Sequence, residues 1–329
     1  MKTKSLITIS TLLSAILLSS PVVAATDEQS LFIDEMVHKH GFDKDKLKTV
    51  LDQATVQEKI LEAIARPAEK RLNWTQYRKI FVIPKRIEGG VKFLQENKKA
   101  LEDAEKRFGV PPEIITAIIG VETYYGRRTG GYKVLDALAT LGFHYPPRGK
   151  FFRSELSHFL QLAREEDMDA SEPTGSYAGA MGVPQFIPSS YRHYAIDFDG
   201  DNKRDIWNNN RDVIGSVGNY FARHGWRPNQ PVTFPASNVS EKHQSFIDAG
   251  LKPSMPVMRL LQAGIETDAN SMPGAQTSLL EFETDQGNEY WLGLHNFYVI
   301  TRYNHSHMYA MAVYQLSQEI LKAMQNKAS

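Results

Sequence analysis

One carboxylate stands out because it falls on a helix face that the sequence predicts to be buried. Residues 115–128 read ITAIIGVETYYGRR, and the prolines shortly before this stretch are typical of a first helical turn. Helical spacing places Ile115, Ile118 and Glu122 on one side. A carboxylate there is costly unless it is paired, hydrogen-bonded or protonated. Glu122 is therefore a candidate general acid; the alternative is a structural glutamate satisfied by the backbone or by Arg127.

A second stretch whose residues could form a binding site is SYAGAMGVPQFIPSSY, residues 176–191. Its glycines and alanines let a backbone approach another molecule closely. Ser176, Gln185 and Tyr191 offer hydrogen-bonding groups beside apolar side chains, which fits a groove for a polar polymer. The alternative is a packed glycine-alanine contact between helices.

The third stretch, DFDGDNKRDIWN, follows the ligand spacing of an EF-hand calcium loop. Asn202 replaces the usual glycine, although asparagine tolerates the left-handed conformation needed there. Asn208 replaces the usual bidentate glutamate. Carboxylates this close repel one another without a cation, which favours calcium over a solvated turn. The predicted ligands are the side chains of Asp197, Asp199, Asp201 and Asp205 and the main-chain carbonyl of Lys203.

The first 25 residues have the features of a secretory signal peptide. Two lysines precede an apolar stretch, and small residues precede cleavage sites after Ala24 or Ala25. The apolar stretch is short for a membrane span. Because the chain has no cysteine, a lipid-modified N-terminal cysteine, disulfides and thiolate metal sites are excluded. We expect a soluble exported protein without a membrane anchor.

Composition restricts the class of partner. The 329 residues include 38 basic and 38 acidic side chains, with 42% hydrophobic and 10% aromatic residues. Such a chain is globular and lacks the basic excess that binds nucleic acid, so we expect no nucleic-acid partner.

These stretches need elements to position them, and the sequence predicts a mainly α, α+β organisation. Residues 26–100 have amphipathic helical spacing, and residues 101–228 alternate helices, including 112–125, 151–165 and 210–224, with glycine-rich loops. Residues 229–294 contain the strand-like segments QPVTF, MPVMRLL and SLLEFETDQGNEYWLGL and predict a small β-rich domain. Residues 295–329 return to a helix with an apolar face.

In this order the motifs resemble the MltB family of lytic murein transglycosylases, glycoside hydrolase family 103. They are GVETYYGRR, YPPRGKFFRSEL, SYAGAMGVPQFIPSSYRHYAIDFDGDNKRDIWN, IGSVGNYFARHGW and VITRYNHSHMYAMAVYQL, and they extend over most of residues 30–325. The resemblance implies a lysozyme-like helical core with an N-terminal helical domain and a small β-rich insertion. Many members are lipoproteins, whereas this chain lacks the cysteine, which implies a soluble periplasmic enzyme.

The resemblance also implies residue roles. Glu122 matches a sole catalytic carboxylate, which protonates the glycosidic oxygen between N-acetylmuramic acid and N-acetylglucosamine and then removes the proton of the muramic acid C6 hydroxyl. Because that hydroxyl closes a 1,6-anhydro ring, no second carboxylate is needed. The aspartate-rich loop matches a single structural calcium site. Residues matching the substrate groove are Ser176, Arg148, Gln185, Tyr220, Tyr303, Asn304, Tyr309 and Tyr77, with Ser176 expected near Glu122.

Two other functions fit parts of the sequence. A hydrolytic muramidase on the same scaffold would use the acidic run of residues 164–172 to activate water. A non-catalytic, calcium-dependent wall-binding protein would need only the loop and the groove. In either case we expect peptidoglycan glycan strands as the partner and a monomeric protein, with cell-wall synthesis or hydrolysis proteins as candidate partners.

Overall fold

The structure is a computed structural model that describes residues 21–65 and 72–328. Most of the predicted signal peptide therefore lies outside the described residues. Within the described ranges, no helix is long and apolar enough to cross a membrane. The first eleven helices there, in chain order, are α1 (Pro21–His40), α2 (Lys44–Leu51), α3 (Glu58–Ala65), α4 (Trp74–Phe81), α5 (Pro84–Glu96), α6 (Lys98–Phe108), α7 (Pro112–Thr123), α8 (Val134–His144), α9 (Gly149–Glu165), α10 (Pro188–Tyr194) and α11 (Asn210–Arg223).

The rest of the chain adds short helices, strands and two C-terminal helices. They are α12 (Gln244–Ile247), α13 (Val257–Gln262), α14 (His295–Tyr303), α15 (His307–Ala328), β1 (Tyr132–Lys133), β2 (Thr174–Gly175), β3 (Thr233–Ser237), β4 (Met255–Pro256), β5 (Glu266–Thr267), β6 (Gln276–Thr284) and β7 (Gly287–Gly293).

The described residues up to Thr49 form one compact unit. In α1, Phe32 and Met36 are four residues apart, share a face and are buried. An ion pair between Lys44 and Asp34, 2.9 Å long, links the start of α2 to α1. Both side chains are exposed, so this pair contributes little to stability.

The second unit, residues 50–329, is built around α7. This helix packs against α5, α6, α11 and α15. It begins at Pro112, as the sequence predicts, and it is apolar on all sides: residues 114–121 are all buried. A helix without a polar face requires cover all round. The mainly α fold predicted from the sequence is thereby confirmed.

The strand-rich segment forms an antiparallel sheet in the order β4-β6-β7-β3-β5. The predicted hairpin is present, with β6 and β7 paired from Ser278 and Gly293 to Thr284 and Gly287. The sheet has its own apolar cluster, which includes Leu279 and Leu292. The expectation that MPVMRLL is a strand was wrong beyond its first two residues, because Val257 and Leu260 are buried at helical spacing in α13.

Candidate active site

Glu122 lies in the last turn of α7 and keeps part of its surface open to solvent. The isoleucines of the helix are buried. The hydroxyl of Tyr309 in α15 donates a hydrogen bond to Glu122 Oε1 at 2.5 Å. The structure thus places a phenol beside the carboxyl group that the sequence predicts to be the general acid. Arg127, the alternative partner, is exposed, with its guanidinium 5.5 Å from the ring of Tyr124.

The surroundings of Glu122 let its carboxyl group keep a proton up to about pH 7. Burial raises the pKa of its carboxyl to about 7, while the hydrogen bond from Tyr309 acts in the opposite direction by stabilising the carboxylate. Neither contribution comes from another carboxylate in the described part of the chain. A group with this pKa can give up a proton and take one back at neutral pH.

Three tyrosines from three elements face the same carboxyl group. Burial is the main reason why the pKa values of Tyr77, Tyr303 and Tyr309 are raised, and the charge of Glu122 raises all three further. The phenols therefore remain neutral hydrogen-bond donors. The sequence predicts all three as groove residues, and the structure brings them together around Glu122.

Helix α4 positions Tyr77. Asn73 and Gln76 form a reciprocal capping box at the start of this helix. The indole of Trp74 packs on the ring of Phe282 in β6, with centroids 5.3 Å apart. Tyr77 lies one turn later and packs on Phe81 at 5.1 Å. The sheet and the helix together thus fix the position of this phenol.

The glycine-rich stretch forms a tight loop beside the end of α7. Ser176 Oγ accepts hydrogen bonds from the main-chain N–H groups of Ala178 and Ala180. Gln185 has a left-handed backbone conformation, with φ of 53°, and its amide donates to the carbonyls of Thr129 and Gly182. Both predicted groove residues therefore shape the loop, and neither hydrogen-bonds to Glu122. A Cβ on Gly182 would lie 2.6 Å from the carbonyl oxygen of Ile206, so glycine is required there.

An aromatic wall continues from Tyr303. Its ring centroid is 4.7 Å from that of Tyr220, which is 7% exposed and whose hydroxyl donates to the carbonyl of Arg302. The ring of His224 stacks on Tyr220 at 4.1 Å, and Tyr194 meets the same ring edge-on at 4.7 Å. Tyr194 and His224 were missed from the sequence. In the sequence, each of them lies near other aromatic residues, but residue spacing alone does not connect either of them with Glu122.

Two predicted groove residues are exposed to solvent. Arg148 is exposed in a 3-10 turn and its guanidinium is 4.4 Å from the centroid of the Phe151 ring. Asn304 is exposed in the short connection between α14 and α15. No contact of the described residues links either side chain to Glu122.

The aspartate-rich loop gathers four carboxylates. Oxygens of Asp197, Asp199, Asp201 and Asp212 lie within 4.8 Å of one another. Asn202 has φ of 69°, the left-handed conformation expected for asparagine at this position. Carboxylate oxygens are the ligands that calcium prefers, so the donor set fits this cation.

The carboxylate cluster differs from the predicted set of ligands at one residue. The Asp205 side chain is outside the cluster because it accepts hydrogen bonds from the main-chain N–H groups of Trp207 and Asn208. Its place is taken by Asp212 in the first turn of α11, which is fully buried. Burial raises the pKa of Asp212, and the nearby carboxylates of the loop add to the rise. The predicted carbonyl ligand, Lys203, follows Asp201 in the same loop, where its N–H donates to the Asp201 carboxylate.

The acidic run is engaged elsewhere. Glu165 pairs with Arg192, and Glu166 pairs with Arg204. The arginines lower the pKa of Glu165, chiefly through the hydrogen bond from Arg192. A cleft of about 730 Å³ lies between this run and residues 203–208 and does not include Glu122. Among the described residues, no carboxylate of the run contributes to the raised pKa of Glu122.

Comparisons with known proteins agree with this geometry. The transglycosylase SLT domain family matches residues 25–318. Membrane-bound lytic murein transglycosylase B of Escherichia coli is 43% identical over 301 residues, or 89% of this chain and 82% of the relative. The crystal structure of soluble lytic transglycosylase SltB1 of Pseudomonas aeruginosa superposes with a TM-score of 0.85 at 49% identity, covering 89% of this chain and 98% of that one.

A third comparison concerns the metal. The structure of the Escherichia coli lytic transglycosylase Slt35 in complex with calcium has a TM-score of 0.81 at 43% identity, covering 90% of this chain and 93% of that one. The similarity extends over the helices that carry Glu122 and the tyrosines as well as the sheet. The chain belongs to the transglycosylase SLT domain family and is a lytic transglycosylase of the MltB type.

Proposed function

We propose that this enzyme cleaves the β-1,4 bond between N-acetylmuramic acid and N-acetylglucosamine in peptidoglycan strands and leaves a 1,6-anhydromuramic acid end, in cell-wall turnover and remodelling. The observation that carries the proposal is a single carboxyl, Glu122, with a pKa of about 7 in a site lined by phenols. The relationship to murein transglycosylase B supports the choice of substrate.

Glu122 performs both proton transfers in this reaction. The protonated carboxyl donates its proton to the glycosidic oxygen, and the leaving sugar departs as an alcohol. The resulting carboxylate, stabilised by the Tyr309 hydroxyl, then accepts the proton of the C6 hydroxyl as that oxygen bonds to C1. One bond is broken and one is formed without water, so a second carboxylate has no task.

We assign the groove to the residues around Glu122. Tyr77, Tyr303 and Tyr309 surround the scissile bond, and the aromatic wall through Tyr220 offers faces to neighbouring sugars. Ser176 and Gln185 each retain hydrogen-bonding capacity toward sugar hydroxyl and acetamido groups beside the loop they shape. Arg148 and Asn304 would contact more distant parts of the glycan strand.

The products distinguish transglycosylation from hydrolysis. Mass spectrometry of digested murein should show anhydro ends, which are one water lighter than the reducing ends of hydrolysis. Predominantly reducing-end muramic acid would favour the hydrolytic muramidase.

Replacement of the acid tests whether the protein is a catalyst or only a wall-binding protein. We expect E122Q to retain binding to insoluble murein but to lose at least about a thousandfold in turnover, because an amide cannot donate the proton. Sedimentation with murein measures binding, and release of soluble fragments measures turnover. Activity near that of the wild type would refute the role of Glu122.

We further propose one structural calcium ion held by Asp197, Asp199, Asp201 and Asp212, with carbonyl oxygen from Lys203. The ion would offset the repulsion among these carboxylates and fix the loop against α11. It has no part in the proton transfers assigned to Glu122.

We place the enzyme in the periplasm as a soluble monomer, exported by the signal peptide of residues 1–25. The absence of cysteine supports a protein without a lipid anchor. N-terminal sequencing of the protein recovered from a periplasmic extract tests this location, since an intact leader would contradict it. Size-exclusion chromatography with light scattering tests the monomer.

A further inference from the structure

The backbone directly after Glu122 adopts a conformation that the chain does not prefer. Helix α7 ends at Thr123, and Tyr124, Tyr125 and Gly126 follow with φ of 55°, 60° and 80°. Two adjacent residues with a Cβ in the left-handed region are unfavourable, so the turn persists only where its surroundings enforce it. Whatever enforces it also fixes the last helical turn, which carries Glu122.

The Thr123 hydroxyl holds this turn from within. It donates a hydrogen bond to the carbonyl of Val183 at 2.9 Å and accepts one from the N–H of Gly126 at 3.0 Å. The side chain is completely buried. One hydroxyl therefore closes the turn and ties it to the loop that carries Gln185.

The next carbonyl of the same loop is tied to another side of the site. The Tyr303 hydroxyl donates to Pro184 at 2.6 Å. Two successive carbonyls, those of Val183 and Pro184, thus connect the end of α7 with the end of α14. This pair of bonds joins the helix that carries Glu122 to the helix that carries Tyr303.

We infer that Thr123 is a positioning residue for the general acid: its hydroxyl sets the orientation of Glu122 by locking the left-handed turn to the carbonyl of Val183. The inference rests on the proposed role of Glu122. Tyr77 from α4, Tyr303 from α14 and Tyr309 from α15 are the titratable groups that face the acid, and none of them is altered by a change at Thr123.

The test is Thr123→Val, which keeps the shape of the side chain and removes the hydroxyl. Thr233→Val is the matched control, because Thr233 is also buried and its hydroxyl also donates to a carbonyl, that of Leu292 at 2.7 Å in the sheet. Misplacement of a catalytic group lowers turnover steeply, so we expect T123V to reduce kcat about tenfold to a hundredfold with little change in KM. T233V should stay within about twofold of the wild type, and Thr123→Ser should restore kcat.

The pH profile separates positioning from mere stability. When the turn relaxes, more water reaches the carboxyl and its pKa falls toward the ordinary value, so the alkaline limb of kcat/KM should move to lower pH in T123V only. If T123V does not fold, T123S against T123A makes the same comparison. The inference would be overturned if T123V kept both the kcat and the pH profile of the wild type. It would also be overturned if T123V and T233V lost kcat equally and kept their pH profiles. Activity retained in E122Q would instead overturn the proposed function.

Discussion

At the scale of single residues, the raised pKa of Glu122 arises from burial and not from repulsion by a partner carboxylate. In a glycosidase with two carboxylates, each one perturbs the other. Here the only hydrogen bond to the carboxyl within the described chain comes from a neutral phenol, Tyr309. A lone acid with a phenol donor suits a reaction in which the same group first gives and then receives a proton.

Tyr309→Phe tests this arrangement. The Tyr309 hydroxyl favours the carboxylate, so its removal should raise the pKa of Glu122 above about 7 and move the alkaline limb of kcat/KM to higher pH. We also expect kcat to fall, because the carboxylate formed after proton donation loses its donor. The pH dependence of murein cleavage measures both effects.

The control for this variant is Tyr290→Phe, which removes a phenol that donates to Glu281 in the sheet. Its pH profile should match that of the wild type. A Y309F profile that does not move, or that moves to lower pH, contradicts the assignment of Tyr309.

At the scale of elements, the acidic loop is completed by a helix. Asp212 accepts hydrogen bonds from the N–H groups of Phe198 and Asp205, at 2.7 and 2.9 Å, and so connects the first turn of α11 to both ends of the loop. These hydrogen bonds stabilise the buried carboxylate, and a cation would offset its repulsion by the neighbouring carboxylates. A calcium ion bound at the proposed site would therefore hold the loop and α11 together as one unit.

Calcium should stabilise the wild type and not Asp212→Asn. For a hundredfold excess over the dissociation constant, the gain in free energy of unfolding is about 2.7 kcal/mol. Thermal unfolding with calcium and with a chelator measures this difference. Asp205→Asn is the control and should keep the calcium response, because Asp205 lies outside the cluster. Loss of the response in D205N and its retention in D212N would show that the loop spacing, and not the tertiary cluster, defines the site.

At the scale of the whole molecule, the catalytic acid costs stability. The pKa of Glu122 is about 7 in the folded protein, whereas an unperturbed glutamate, as in the unfolded chain, has a pKa of 4.5. The folded state therefore binds this proton more tightly than the unfolded state does. The contribution of the bound proton to the free energy of unfolding is complete below pH 4.5 and is lost as the pH rises through 7. Keeping the ionised group at higher pH costs about 3 kcal/mol.

Glu122→Gln should therefore raise the melting temperature at pH 8, and the gain should shrink toward zero near pH 4.5, where both side chains are neutral. Calorimetry at several pH values makes the comparison. Glu283→Gln, at an exposed position in β6, is the control and should show no such pH dependence. Equal stability of E122Q and the wild type at pH 8 would contradict the burial of this acid.

Much of this protein was determined by its sequence alone. Apolar periodicity and prolines located α7 and the carboxylate near its end, because helix faces and helix starts are encoded by neighbouring residues. Alternation and a turn located the hairpin of β6 and β7 for the same reason. The order of motifs identified the family, and the aspartate spacing identified three members of the acidic cluster.

The tertiary structure decided which residues meet. Tyr309 is 187 positions from Glu122, and nothing local in either stretch predicts their hydrogen bond. Asp212 replaces Asp205 in the acidic cluster because α11 brings a buried carboxylate to the loop, which loop spacing cannot show. The segment MPVMRLL likewise became mostly helical through packing against the sheet cluster. Local patterns determine elements, whereas contacts between distant residues depend on how those elements pack, and that packing gives Glu122 its pKa.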